Sequence, residues 1–372
     1  MAISFMLTVE YWLHSKAIRF GFTCMCVGLA TFAHAQTAPT TYTLSNEKLR
    51  IEVNLLNSSI KSVTRKGHGG GLNPLSWKLT QQQMPANNRS GEPFMGHFLC
   101  TNRWGSPSAR EMAAGITHNG EVNTIKWQIL KSSNSYVKTQ HISVNEHLKV
   151  DREIVLATGS EKFTVVEIFE NTSALDRVWN VVQHPTLGAP FLRKETQIFS
   201  NATWGFDQRT SSDSLAIKAY HWPHAHMKEG YVDLTSSLTP LGYVSTHVFN
   251  PADSIGFVVA RNPDGSFFGY CWAVDDYPWL NLWHHYENGQ PVSKGLEFGT
   301  TGKGIDYFEL LTKGVAFHNH LSWDYFTAKA KKSKEYTGFY FSAPSLKNVA
   351  SIRRNDSAYM LTDSDGNTYM LK

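Results

Sequence analysis

Apolar and polar residues alternate with a period of two along much of this chain. Ile51, Val53 and Leu55 fall on one side, Glu52 and Asn54 on the other. That is the pattern of a half-buried β-strand. Further runs rich in β-branched and aromatic residues predict strands at 125–130, 136–142, 163–169, 243–249 and 255–260. Clusters of Gly, Asn, Asp and Ser bound them as turns, and Asn262-Pro263-Asp264-Gly265 reads as a turn between two strand runs. Helical periodicity is weak, with one short candidate at 106–114. There is no internal repeat, no low-complexity tract and no interior linker. The pattern predicts a single antiparallel all-β domain over 42–372. It must be layered as a sandwich, because one open sheet of this size cannot bury both faces.

The first 35 residues break the alternation. Lys16 and Arg19 precede an apolar run, FGFTCMCVGLATF at 20–32, and Ala33-His34-Ala35 is a small-x-small cleavage pattern. The run is shorter than the roughly 20 apolar residues a membrane span needs. Residues 1–35 are therefore expected to be a cleaved signal peptide, with Met6 an alternative start, and 36–41 a Thr/Pro linker. The expected destination is periplasmic or secreted, without stable membrane insertion after cleavage. Cys24 and Cys26 lie in the signal. Cys100 and Cys271 sit in apolar strand-like segments and read as buried thiols, with a single bridge left open.

Composition narrows the function. Aromatic residues make up 13% and charged residues 18% of the 372, the latter below the roughly 25% of an average soluble protein. A disordered chain would be poor in aromatics. The net charge of +4 comes from no basic stripe, which argues against nucleic acid as a partner. The glycine-rich stretch 67–71 lacks the Gly-Lys-Ser/Thr ending of a phosphate loop. No Gly-x-Ser-x-Gly nucleophile elbow and no His-Glu-x-x-His zinc helix occurs. His221, His224 and His226 form the most metal-like cluster. Pro223 interrupts it and no cysteine or carboxylate lies close by in sequence, so it reads as a loop of polar rings around Trp222.

Three other segments set ionisable groups among Gly, Pro and aromatics, where a rigid scaffold presents functional side chains. They are 96–121, containing GHFLC, Asn102-Arg103-Trp104-Gly105 and His118-Asn119-Gly120; 183–191, containing His184 in HPTLGAPF; and 277–300, containing Trp279, Trp283 and Glu297 in GLEFGT. Singly, each has a plainer reading: a turn histidine, a solvent-facing carboxylate, a structural arginine, core tryptophans.

Taken together and in this order, the segments resemble the galactose mutarotase-like superfamily, which includes the aldose 1-epimerases, and most closely a bacterial branch of it. The resemblance spans about 45–345. It implies a β-supersandwich that binds sugars in an open cleft, with no metal and no cofactor. It also implies roles. Asn102-Arg103 corresponds to a pair that contacts sugar hydroxyls, and His118 to the first histidine. His184, 13 residues after Asn171-Thr172-Ser173, corresponds to the general acid, and Glu297 to the general base. One departure is clear: the superfamily's Asp-His pair has no Asp in Gly242–His247, where Asp233 is the nearest substitute.

Such a site suits mutarotation, in which the anomeric hydroxyl loses a proton and the ring oxygen gains one. A carboxylate and a histidine suffice for this near neutral pH. Trp279 and Trp283 are expected to stack on the pyranose. The expected partner is a mono- or oligosaccharide. The alternatives are a non-catalytic carbohydrate-binding protein, or a polysaccharide lyase or hydrolase on a related sandwich, with Asp275, Asp276 and Glu287 as further carboxylates.

Overall fold

The alternation of the sequence becomes two large antiparallel sheets in the computed structural model, which describes residues 40–372 apart from 68–70, 211–216, 228–229, 239–241, 314–315 and 357. The expected signal peptide lies outside the described residues. Thr41, placed in the linker by sequence, already begins the first strand, Thr41–Ser45. No helix among the described residues is long and apolar enough to cross a membrane.

One sheet has ten strands and the other eight. The middle of the ten-stranded sheet runs His97–Thr101, Val181–Gly188, Gln290–Gly299, Trp279–Glu287, Val244–Val248 and Trp204–Asp207. The eight-stranded sheet is centred on Ser266–Ala273, Lys331–Ser342, Lys162–Asn171 and Leu148–Val155. The strands predicted at 136–142, 163–169, 243–249 and 255–260 are all present within a residue or two. That predicted at 125–130 is displaced to Gln128–Ser133, because Val122 and Trp127 are drawn into the core just before it. The helix candidate at 106–114 shortens to Ala109–Ala113, capped by Ser108 and Glu111 in reciprocal hydrogen bonds.

The main core lies between the sheets and joins Leu280, Leu282, Leu296 and Phe298 of one to Val165, Phe268, Tyr270 and Tyr336 of the other. A second cluster lies on the far side of the eight-stranded sheet. There Phe257, Phe267, Cys271 and Phe339 are covered by Leu346, Ile352, Leu361 and Leu371 of the C-terminal segment. Cys100 packs instead in a third cluster with Phe94, Phe98 and Trp104. Both thiols are free and buried; the bridge left open by the sequence is absent because the two cysteines pack in different clusters.

A polar network is buried in the main core. Arg152 Nε lies 3.2 Å from Glu167 Oε1, and its other nitrogens donate to Ser58 O and Tyr336 Oη, each at 2.6 Å. Gln183 Nε2 donates to Glu167 Oε2 at 2.6 Å. His97 bridges Gln183 Oε1 and Tyr270 Oη, each at 3.1 Å. Gln183 and His97 of the ten-stranded sheet thus fix Glu167 and Tyr270 of the other, and an unpaired member would be costly. Arg152→Met is expected to destabilise the fold by about 3–5 kcal/mol by leaving Glu167 uncompensated. The double variant Arg152→Met/Glu167→Leu should recover much of that loss. Urea denaturation of the wild type and both variants checks this.

Candidate active site

Residues flanking that network point the other way, because side chains alternate across a strand. Phe98 pairs with His184. The registers Gln183↔Phe298 and Thr186↔Gly295 set His184 opposite Glu297. Glu297 pairs with Asn281, Asn281 with Thr246, and Thr246 with Phe206. One residue from each of six neighbouring strands therefore stands in a row on the face away from the main core. The Phe98–His184–Glu297 end of the row borders a cavity of about 600 Å³.

His184 and Glu297 meet there. Nε2 lies 3.1 Å from Oε1, with the carboxylate only 1% exposed. The imidazole stacks on Phe98, with ring centroids 4.2 Å apart and planes within 20°. Its Nδ1 contacts Thr186 Oγ1 at 3.0 Å. The Thr186 hydroxyl directs its own proton at the His184 carbonyl, 3.5 Å away. The tautomer in which Nδ1–H donates to Thr186 Oγ1 leaves Nε2 as a lone pair facing Glu297. The second carboxyl oxygen accepts a 2.7 Å hydrogen bond from Trp104 Nε1. Burial pushes the Glu297 carboxyl up to about 8, partly opposed by the Trp104 bond. Burial pushes His184 down to about 3, and the nearby His118 adds to that. At neutral pH these shifts leave a protonated acid in contact with a neutral imidazole.

Gly295 makes room for this geometry. A Cβ there would lie 2.6 Å from Glu297 Oε1 and 3.1 Å from Trp283 Cβ.

The loop after the His97–Thr101 strand carries Trp104 and is held by Arg103. Its guanidinium donates to Trp104 O at 2.9 Å, to Ser106 O at 2.6 Å and to Gly304 O at 2.9 Å. Its Nε lies 3.2 Å from Glu111. Arg103, expected from the resemblance to bind sugar hydroxyls, has its side chain buried, hydrogen-bonded to the loop, and outside the residues that line the cavity. Asn102 is also buried outside the cavity. It takes a left-handed φ of 56°, and its carbonyl accepts from Tyr307 Oη.

His118 does line the cavity. Asn88 clamps its backbone, accepting from His118 N at 2.9 Å and donating to His118 O at 2.8 Å. Its Nδ1 contacts Ser106 Oγ at 3.1 Å. Burial, then the charge of Arg103, lowers His118 to about 4, so it is neutral. Trp283 lines the cavity beside His184. Trp279, four residues earlier on the same face, does not: it is fully buried and donates through Nε1 to Leu321 O at 2.7 Å. Gly302 lies so close over that ring that a Cβ would collide with it, so Trp279 cannot stack on a ligand.

Asp233 is exposed and caps its own turn at Thr235; it does not stand in for the missing aspartate of the superfamily. His247 is wholly buried beside Tyr220 and Trp222. Asp275, Asp276 and Glu287 are absent from the lining, where Glu297 is the sole carboxylate among the described residues. His221, His224 and His226 border a separate groove with Trp204 and Tyr231. Among the described residues no three His, Cys, Asp or Glu side chains converge as metal ligands.

Sequence reasoning passed over Trp104, although the quoted Arg-Trp-Gly segment contains it. It also passed over Asn281 and Gln208, which support the cavity floor. Asn281 accepts from Thr246 Oγ1 at 2.8 Å and donates to Thr301 O at 3.1 Å. Gln208 donates to Thr246 Oγ1 at 2.6 Å and to Gly302 O. The alternation of Asn281 between Trp279 and Trp283 was the available signal.

Residues 134–308 match the family model of a domain of unknown function, DUF4432; the segment holds His184 and Glu297 but not Trp104. No curated protein matches the sequence. Solved structures match over most of the chain. A galactose mutarotase related enzyme from Lactobacillus acidophilus is 10% identical with a TM-score of 0.58, over 82% of this chain and 98% of the other. A galactose mutarotase-like protein from Clostridium acetobutylicum is 11% identical with a TM-score of 0.57, over 81% and 95%. A candidate aldose 1-epimerase from Escherichia coli is 14% identical with a TM-score of 0.56, over 82% and 99%. At these identities the likeness is one of fold: the chain has the galactose mutarotase-like β-sandwich that its sequence segments resemble.

Proposed function

We propose that this protein is a mutarotase, interconverting the anomers of a free sugar by proton transfer through His184 and Glu297. The observation that carries the reading is the buried acid–imidazole contact of 3.1 Å beside the cavity. The two oxygens of an anomeric centre hang on one carbon, so an adjacent acid and base can serve both. Nε2 of His184 takes the proton of the anomeric hydroxyl while Glu297 Oε1 gives its proton to the ring oxygen. The bond from the anomeric carbon to the ring oxygen breaks and a carbonyl forms. Rotation presents the other face of the carbonyl. The ring oxygen then attacks, its proton returns to Glu297, and His184 reprotonates the new hydroxyl. The superfamily assignment, Glu297 as base and His184 as acid, is the other tautomer of the same pair and differs by one transfer across the contact.

Among the described residues Glu297 is the sole carboxylate of the lining, which supports this reading over glycoside hydrolysis, a reaction that needs a pair. A lyase acting on uronic acids needs a cation beside the carboxylate, and Arg103 is instead hydrogen-bonded to the carbonyls of Trp104, Ser106 and Gly304. With the leader-like pattern at 16–35, the activity is assigned to the periplasm or the medium.

Three outcomes are expected. By polarimetry or proton NMR on freshly dissolved α-anomers, Glu297→Gln and His184→Ala each lose about 10²–10⁴-fold in rate; near-full activity of either would sink the proposal. The pH profile should hold through neutrality and fall above about pH 8. There Glu297, raised from 4.5 by burial, loses the proton it must donate. A decline centred near 6.5 instead would point to an unperturbed histidine. Gly295→Ala should displace the carboxylate and lower kcat by about 10²-fold while remaining folded by circular dichroism.

A further inference from the structure

The His184–Glu297 pair forms one wall of the cavity. Trp77, Leu79, Phe94, Trp104, Val244 and Ile305 make most of the rest. The few other polar side chains there are largely engaged. Gln208 uses its amide nitrogen on Thr246 and Gly302, and its oxygen accepts from Gly304 N. Asn119 Oδ1 accepts from Gly105 N at 2.7 Å. Gln83 Oε1 accepts from Thr80 N at 2.9 Å. His118 engages Ser106 through Nδ1. Beyond the catalytic pair the lining therefore offers a ring nitrogen of His118, the side-chain nitrogens of Gln83 and Asn119 and the indole N–H groups of Trp77 and Trp283, few polar groups against a mostly apolar wall. No Lys or Arg is among the described residues that line the cavity.

A fully hydroxylated hexose carries hydroxyls all round its ring, and each one buried without a partner is penalised. An anionic sugar would meet no cation among the described lining residues. A ligand matched to this cavity has its polarity gathered at the hemiacetal and an apolar remainder. At about 600 Å³ the cavity sits within the usual range of about 300–1,000 Å³ for small-molecule sites, which leaves space for a substituent beside one pyranose ring.

We infer that the substrate is a free sugar stripped or masked of hydroxyls away from the anomeric carbon, a deoxy or O-alkylated aldose, and not a uronic acid or a phosphorylated sugar. The reaction rests on the function proposed above; the preference rests on the lining alone.

The test compares matched pairs with the wild-type protein: L-fucose with L-galactose, L-rhamnose with L-mannose, 3-O-methylglucose with glucose, and glucose with glucuronate. Anomer equilibration is followed by NMR, and binding by quenching of tryptophan fluorescence, since Trp77, Trp104 and Trp283 line the cavity. The expected result is kcat/KM at least about tenfold higher for the deoxy or methylated partner, with no acceleration of glucuronate. Equal or reversed preference overturns the inference and leaves the mutarotase reading standing. Tighter binding of the deoxy or methylated partners without acceleration of any sugar supports the inference and overturns the mutarotase reading. Absence of both binding and turnover for every sugar overturns both.

Discussion

The ion pair buried between the sheets, Arg152 with Glu167, governs the rest of the structure. It is tolerable only because Ser58, Tyr336, Tyr277 and Gln183 satisfy its remaining donors and acceptors. Gln183 and His97 belong to the cavity-bearing sheet, so the network holds two of its central strands in one register against the eight-stranded sheet. Any other register would take Gln183 from Glu167 and His97 from Tyr270, leaving buried polar groups unpartnered. The active-site row is a consequence: with Gln183 and His97 facing inward, His184 and Phe98 face outward.

The same burial that stabilises the fold sets the chemistry. Glu297 accepts one neutral donor, Trp104, and has no cation against it. Desolvation therefore dominates and keeps the carboxyl protonated. His184, pressed on Phe98 and closed in by Trp283, stays neutral for the same reason. Arg103 is near enough to matter electrostatically to His118, yet its hydrogen bonds tie it to the loop that delivers Trp104. The arginine positions the indole, and the indole orients the acid.

Much of this was legible in the sequence, and what was not has identifiable causes. Period-two alternation located most of the strands tested, and it failed at 125–130, where Val122 and Trp127 are recruited to the core ahead of the strand. His184 and Glu297 lie 113 positions apart in sequence, and only the segment resemblance suggested that they meet. The fates of Arg103 and Trp279 were not readable. Each depends on backbone groups brought from far along the chain: Gly304 O for the arginine, and Leu321 O with the approach of Gly302 for the tryptophan. Trp283 has the same face and spacing as Trp279 but lies opposite Gly295, and so it reaches the cavity.

The central strands carry two jobs on alternate residues, structural toward the core and chemical toward the cavity. Loss or gain of one residue in such a strand would exchange the two sets at once, turning catalytic groups into the core and core groups into the cavity. Within these strands, evolution is thereby confined to replacement in place. Changes of length are left to the connecting loops, among them the one that carries Trp104 and His118. New specificities on this scaffold are expected to arise at the rim of the cavity while the floor stays fixed.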